Sequence, residues 1–216
     1  MKKILVLASL AAVVFTANAG NTPKSNTAAT EVVAPAKARA YKVDVAKSDI
    51  KWHAKKVTGE HKGTLALSNG QMLVAGNKVT GGTFVFDMNS IVCTDIKDDG
   101  YNKKLVGHLK SDDFFSVEKF GTATFKITSL KPIAKAAAGQ ANYTVTGDLT
   151  VKGITNPITF PATISVKDGV ASAKGDVTIN RTKFDVRYGS NSFFDNLGDK
   201  AIYDDFVVTL DVTAKQ

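Results

Sequence analysis

The side chains with the greatest chemical capacity lie in two short segments. The first, HLKSDDFF, runs from His108 to Phe115 and places an imidazole, an ammonium, a hydroxyl and two carboxylates before two adjacent Phe. The second, NRTKFDVR, carries two guanidinium groups, Arg181 and Arg187. An Arg side chain presents a fork of donors that can bind two phosphate oxygens at once. The chemistry that these segments suit best is therefore recognition of a polar headgroup.

Four residues are candidate headgroup ligands on this reasoning: His108, Lys110, Arg181 and Arg187. The alternative for all four is solvated surface charge. For Arg181, a second alternative is an internal ion pair with a carboxylate such as Asp112 or Asp185.

Catalytic chemistry finds little support among the same residues. A nucleophilic mechanism needs Ser or Cys beside His, but Cys93 has no motif context and no G-x-S-x-G occurs. Three pairs of Asp residues are adjacent in sequence: Asp98-Asp99, Asp112-Asp113 and Asp204-Asp205. Neighbouring residues in a strand point to opposite faces, which makes such pairs poor acid–base dyads. The sequence therefore predicts that the protein is not an enzyme, with Cys93 as a small buried hydrophobe.

Metal and cofactor chemistry also lack a sequence signature. A metal site would draw on His53, His61 and His108, but these do not form an H-x-x-x-H or H-x-H pair. No phosphate-binding glycine loop is present. We expect neither a metal nor a cofactor; an enzyme or metal protein that uses His53, His61 or His108 is the less favoured alternative.

Most of the chain alternates apolar and polar residues with the period of a β-strand. Each such run has one apolar and one polar face, as antiparallel strands do, and turn residues separate the runs. About eight to ten strands without alternating helices indicate a sandwich or an up-and-down barrel. The clearest apolar faces belong to Ile50–Ala54, Phe84–Met88, Ala123–Ile127, Tyr143–Val151, Ile158–Val166 and Phe206–Val212.

One segment, about 98–117, breaks the strand pattern. Tyr101, Leu105 and Leu109 recur at helical spacing, which predicts a helix over 101–110. Ser111 and Asp112 suit its end. A helical insert between two strands can cap the mouth of a barrel, with Phe114 and Phe115 as its plug.

The first 40 residues are not expected to belong to the folded domain. Residues 1–19 read as a signal peptide: a basic start, a short apolar run and an A-x-A site that predicts cleavage after Ala19. Residues 20–40 have the composition of a flexible linker, and 41–216 form the domain. These features predict a periplasmic or secreted protein without a transmembrane segment.

The charge of the chain argues against nucleic-acid binding. The formal net charge of +8 falls to about +4 when residues 1–40 are set aside, and the lysines are scattered. A homodimer is compatible with the sequence.

Three motifs resemble the YceI-like family of exported bacterial proteins. They are GHLKSDDFFSVEKFGTATFKI (107–127), GDLTVKGITNPITFPATI (147–164) and INRTKFDVRYG (179–189). Two positions depart from the family pattern: Phe120-Gly121 stands where Tyr-Pro is common, and Asp185 stands where Gly is frequent.

The resemblance implies a lipocalin-like antiparallel β-barrel of about eight strands that binds a polyisoprenoid or another long amphiphilic lipid. The aromatic side chains on the apolar faces and in the insert would then line a tunnel for the lipid. The alternative is that they fill the barrel of a structural or stress-related interaction module. The candidate tunnel residues are Trp52, Phe84, Phe86, Phe114, Phe115, Phe125, Tyr143 and Phe160.

Overall fold

A computed structural model of the chain describes residues 37–216, which form nine strands, one α-helix and three short 3-10 helices. The 3-10 helices span Val45–Lys47, Arg181–Phe184 and Gly198–Lys200. The strands are β1 (Arg39–Val43), β2 (Asp49–Lys56), β3 (Gly59–Ala75), β4 (Lys78–Cys93), β5 (Thr122–Pro132), β6 (Tyr143–Val151), β7 (Ile154–Lys167), β8 (Val170–Asn180) and β9 (Ile202–Lys215); the helix is α1 (Asp99–Lys110).

The sheet closes on itself. From β2 to β9 each strand pairs antiparallel with the next, and β9 returns to pair with β2. β1 and β2 share one position in the ring, since β1 pairs with Gln71–Val74 of β3 whereas β2 pairs with Gly59–Thr64 of the same strand. The result is an eight-position up-and-down barrel, which confirms the predicted fold class and leaves no long strand edge unpaired.

The apolar faces predicted from alternation point into the barrel. Inside, Phe125 lies between two other rings, 6.4 Å from the centroid of Phe84 and 5.7 Å from that of Phe160. These three side chains are at most 7% exposed and belong to one continuous core. Aliphatic side chains from every part of the ring surround them, among them Val43, Met72, Val145, Ile164, Val212 and Ala214.

The close approach of Phe125 to β6 depends on Gly147. A Cβ at position 147 would lie against the Phe125 ring and 2.5 Å from the carbonyl oxygen of Lys126. The absence of a side chain at Gly147 therefore provides the space that the central ring of the aromatic core occupies.

The predicted helical insert is present between β4 and β5. α1 begins at Asp99, where the side chain of Asp98 accepts a hydrogen bond from the Tyr101 amide at 2.8 Å, and it ends at Lys110. Leu105 and Leu109 are partly buried, as the helical spacing predicts. Ser111 follows as the C-cap, and its hydroxyl donates to the carbonyl of His108.

Tyr101 lies in α1 as predicted, but unlike Leu105 and Leu109 it is largely exposed, at 68%. The first turn of α1 is held by the neighbouring Asn102. Its side-chain nitrogen Nδ2 donates to the carbonyls of Cys93 and Ile96, both at 2.9 Å. Because successive helical residues are rotated by about 100°, an inward Asn102 turns Tyr101 toward solvent. The Tyr101 ring instead lies under the ammonium of Lys104.

A compact turn after α1 fastens the insert to the barrel. Phe114 and Val117 are buried, and Val117 joins a small second core with Met88, Ile91 and Ala123. Phe115 packs against that core. Phe114 and Phe115 thus anchor the end of the helix to the barrel.

The predicted signal peptide and most of the predicted linker lie outside the described residues. β1 begins at Arg39, so residues 39 and 40 pair with β3 rather than forming the end of a linker. None of the helices in 37–216 has the length and apolarity needed to cross a bilayer.

Replacing Gly147 with Ala should destabilise the barrel by about 1–3 kcal/mol, because the added methyl group overpacks the Phe125 ring. Gly59→Ala is the matched control, since a Cβ there meets no atom within 4 Å; its effect should stay within about 0.5 kcal/mol. Urea unfolding of both variants measures the difference. Equal midpoints would contradict the packing role of Gly147.

Candidate ligand-binding cavity

A cavity of about 150 Å³ lies inside the barrel, between its wall and the insert that contains α1. Almost all of its wall is apolar. It is lined by Ile50, Trp52, Ala54, Leu65, Phe86, Met88, Ile91, Leu109, Phe114, Phe115, Ala123, Leu149, Val151, Ile179, Arg181, Ile202, Tyr203, Phe206 and Val208. A site of this kind can hold an alkyl or prenyl group but offers no polar network for covalent chemistry.

The predicted tunnel residues divide into two groups. Four of them line the cavity: Trp52, Phe86, Phe114 and Phe115. The other four do not, and they occupy the core instead: Phe84, Phe125, Tyr143 and Phe160. The expectation of one aromatic tunnel is corrected for this second group, because the rings of Phe84, Phe125 and Phe160 pack together and Tyr143, which is partly buried, packs against the same core. One part of the barrel is filled and the other is open.

Several lining residues were not among the sequence candidates. Met88, Phe206 and Val208 lie on apolar strand faces that the alternating pattern predicts, so the sequence does indicate that they point inward. Leu65 lies next to a register shift between Thr64 and Ala66, where simple alternation fails. Ile202 and Tyr203 lie at the start of β9, before the alternating segment Phe206–Val212.

Arg181 is the one charged side chain among the lining residues, and it is 5% exposed. Its Nη1 donates to the carbonyls of Val186 and Tyr188 at 2.9 Å, Nη2 donates to Ile202 at 3.0 Å, and Nε donates to Tyr203 at 3.1 Å. Four of its five N–H donors are thus committed to backbone.

An ion pair completes the surroundings of Arg181. Its Nη2 lies 3.4 Å from Oδ1 of Asp204, whose other oxygen accepts a hydrogen bond from Ser192 at 2.6 Å. Burial alone would raise the pKa of Asp204, but hydrogen bonds from Ser190 and Ser192 and the charge of Arg181 lower it below its ordinary value. The carboxylate partner is therefore Asp204, not Asp112 or Asp185 as the sequence alternative supposed.

These contacts correct the expectation that Arg181 binds a headgroup. The guanidinium joins the loop 186–188 to the start of β9, and releasing it would leave four carbonyls unpaired. Arg181 is a clamp in the cavity wall.

The other three headgroup candidates lie outside the cavity lining. Arg187 is exposed, pairs with Asp185 and lies 4.8 Å from the Phe193 ring. Lys110 donates to the Asn89 carbonyl at 2.7 Å. Arg187 and Lys110 both keep their side chains partly available to solvent.

His108 connects the insert to the loop that Arg181 holds. Its ring contacts Phe114 at 4.9 Å and Tyr188 at 4.6 Å between centroids, both edge to face. Its Nε2 lies 3.1 Å from a carboxylate oxygen of Asp113. His108 thus helps to hold the insert against the loop beside the cavity.

The three histidines do not converge on one metal site. His53 pairs with Glu60, His61 with Asp95 and His108 with Asp113. The three histidines are therefore not ligands of one common metal.

Comparison with known sequences agrees with the closed barrel and its insert. The sequence matches the family described as "YceI-like domain" over residues 41–214. The chain belongs to the YceI-like family. UPF0312 proteins are similar as well, with 40% identity over 83 residues in Pseudomonas fluorescens Pf-5 and 36% over 88 residues in Vibrio vulnificus YJ016. These matches cover 36% and 38% of this chain but only 42% and 44% of the relatives, so the chain spans less than half of their length.

Two solved structures share the YceI-like fold. Burkholderia cenocepacia BcnA has 24% identity and a TM-score of 0.59, with 80% of this chain and 99% of that chain covered. A polyisoprenoid binding domain from Saccharophagus degradans, implicated in plant cell wall breakdown, has 17% identity and a TM-score of 0.57, with 81% and 97% covered. At these identities the likeness shows the fold.

The structure shows the surroundings of both departures from the YceI-like pattern and explains the one at Asp185. Asp185 has φ 58° and ψ 32°, the left-handed conformation that favours glycine and that Asp tolerates better than most residues. Phe120 packs on Gly153, where a Cβ would come within 3.0 Å of the ring.

Replacing Arg181 with Met should destabilise the protein by about 3–5 kcal/mol, because Asp204 and four carbonyls lose their buried partner. Arg187→Met is the control and should cost less than about 1 kcal/mol, since that ion pair is exposed. Chemical denaturation gives both values. A cost for Arg181→Met as small as that of the control would show that the clamp is dispensable.

Proposed function

We propose that this YceI-like protein is a carrier or store for one long-chain amphiphilic lipid, most simply a polyisoprenoid, and performs no covalent chemistry. The observation that carries this proposal is the cavity wall: it is apolar except for Arg181, whose donors are already engaged. The polyisoprenoid binding domain of the same fold lends support by analogy.

The size of the cavity sets a condition on this function. A cavity of about 150 Å³ is comparable to one that accepts benzene, whereas drug-sized ligands occupy about 300–1,000 Å³. A long chain therefore needs additional space. Met88 and Leu109 are flexible lining residues, and α1 contains no buried residue, so the insert is the part of the wall that can move at the lowest cost.

Such a movement requires free energy beyond the cost of association, and only the burial of a long chain supplies it. Each methylene transferred from water gains about 0.8 kcal/mol, so ten contribute about 8 kcal/mol. This is of the order of the about 4–15 kcal/mol lost on association. Chains longer than about ten carbons should bind increasingly well, whereas short ones should bind weakly.

The polar end of the lipid would remain near the insert. Lys110 and His108 belong to the insert, Arg187 precedes Tyr188, which the His108 ring contacts, and each of the three keeps contact with solvent. We assign them the contacts to the headgroup and exclude Arg181. Export to the periplasm or the outside follows from the predicted signal peptide and forms part of the same proposal.

The direct test is to identify what accompanies the protein. Protein purified from its native host without detergent should release a long-chain lipid in about equimolar amount on organic extraction and mass spectrometry. The delipidated protein should then bind a fluorescent prenyl probe. Lipid-free native protein that also fails to bind the probe would rule the function out.

Filling the cavity should abolish binding without unfolding the protein. In Ala54→Phe, the added ring occupies space that the tail needs, and probe affinity should fall at least tenfold. Ala136→Phe makes the same change in the exposed connection between β5 and β6 and should bind normally. Circular dichroism establishes that both variants are folded. Unchanged affinity in folded Ala54→Phe would place the ligand elsewhere.

A further inference from the structure

Three potential metal ligands of different chemistry meet where β4 ends and the insert begins. Nδ1 of His61 lies 2.9 Å from Oδ2 of Asp95, and Sγ of Cys93 lies 3.2 Å from Oδ1 of the same carboxylate. The three ligand atoms all lie within 4.8 Å of one another. Within residues 37–216, this is the one group of three His, Cys, Asp or Glu residues whose ligand atoms approach one another so closely.

Strand pairing explains why these residues converge. Gly63 of β3 pairs with Cys93 of β4, and the amide of Thr94 donates to the Lys62 carbonyl one step further on. Continuing the antiparallel register places His61 opposite Asp95. Residues two apart in a strand share a face, so Cys93 and Asp95 project together. The spacing C-x-D was thus a signal in the sequence, but its partner lies more than 30 residues away.

The face that carries the cluster is the inner face of the barrel. Trp52, which lines the cavity, pairs with Gly63 across β2 and β3. Directly opposed residues lie on the same face of a sheet. Gly63 has no side chain, and a Cβ there would collide with the Trp52 ring and the Val92 carbonyl. The barrel wall beside the cluster is therefore closely packed where Gly63 meets Trp52.

We propose that His61, Cys93 and Asp95 form a binding site for a borderline-soft divalent cation such as Zn²⁺, with water as the fourth ligand. Zn²⁺ takes sulfur at about 2.3 Å and nitrogen or oxygen at about 2.0–2.2 Å, which brings ligand atoms to the separations of this cluster. Mg²⁺ and Ca²⁺ take oxygen ligands and would not use the thiol. Binding releases the Cys93 proton and replaces the hydrogen bonds to Asp95 with bonds to the metal.

Hydrogen bonds from neighbouring residues orient the proposed metal ligands. The Lys62 amide donates to Oδ1 of Asp95 at 2.9 Å, which fixes the carboxylate from outside the cluster. The side chains of His61 and Asp95 are 34% and 23% exposed, so a cation has access from solvent. Asn102 holds the Cys93 carbonyl and thereby ties the same point to α1.

A catalytic arrangement does not explain the cluster. Oδ1 of Asp95 accepts a hydrogen bond from the Cys93 thiol, and Nδ1 of His61 lies 2.9 Å from Oδ2, so the carboxylate lies between thiol and imidazole. A nucleophilic cysteine requires the imidazole beside the sulfur.

The test uses the full chain, purified under reducing conditions without a histidine tag. Titration with Zn²⁺ in a calorimeter should give one site per chain. Titration with Co²⁺ should give the near-ultraviolet absorption of a thiolate-to-cobalt transition. Cys93→Ser should remove that absorption, and Cys93→Ser and His61→Gln should each weaken Zn²⁺ binding at least tenfold.

Two matched variants control for adventitious binding. His53→Gln and His108→Gln remove histidines that pair with other carboxylates, and both should bind Zn²⁺ as the unaltered protein does. If Cys93→Ser does not fold, the His61→Gln variant and the cobalt absorption of the unaltered protein remain decisive. Absence of stoichiometric binding, or equal binding in folded Cys93→Ser, would overturn the site. Neither outcome bears on lipid binding, which is measured with metal-free protein.

Discussion

Closure of the sheet is the constraint on which the rest of the structure depends. Pairing of β9 with β2 turns a meander into a ring, and every inward side chain must then share one interior. An eight-stranded barrel is just wide enough to be filled by side chains or to hold one small ligand. Here both solutions occur: the stacked rings of Phe84, Phe125 and Phe160 fill one region, and smaller side chains such as Ala54 and Ala123 leave another open.

The open region needs a wall that does not collapse, and Arg181 supports part of it. A guanidinium in an apolar setting is costly unless each donor finds an acceptor. Its four carbonyl partners come from two segments, 186–188 and the start of β9, which lack regular strand pairing with each other at this point. Arg181 therefore supplies long-range hydrogen bonds where the sheet does not. Its burial has a structural cause, and the lipid headgroup is not required to explain it.

The sequence allowed the fold and the inward faces to be predicted, because a period of two is a local property of each strand. It also located the insert, since Leu105 and Leu109 follow helical spacing. It could not show that Tyr101 faces solvent, because that depends on the contact from Asn102 to Cys93. Nor could it divide the aromatic residues between plug and cavity, or find Asp204 beside Arg181. Those facts depend on register and on pairs of residues far apart in the chain.

The small volume of the cavity has a physical consequence for the lipid binding proposed above, since a long chain needs more space than about 150 Å³. The insert contacts the barrel through Phe114 and Val117, which are buried, while α1 itself buries no side chain completely. The buried contacts of the insert thus follow the C-terminal end of α1, whereas the first turn is held by the hydrogen bond from Asn102 to the Cys93 carbonyl. A lipid that binds only the open form shifts the population toward it by its differential affinity. Under the proposed function that affinity grows with each buried methylene, so the apolar wall would favour long chains over short ones.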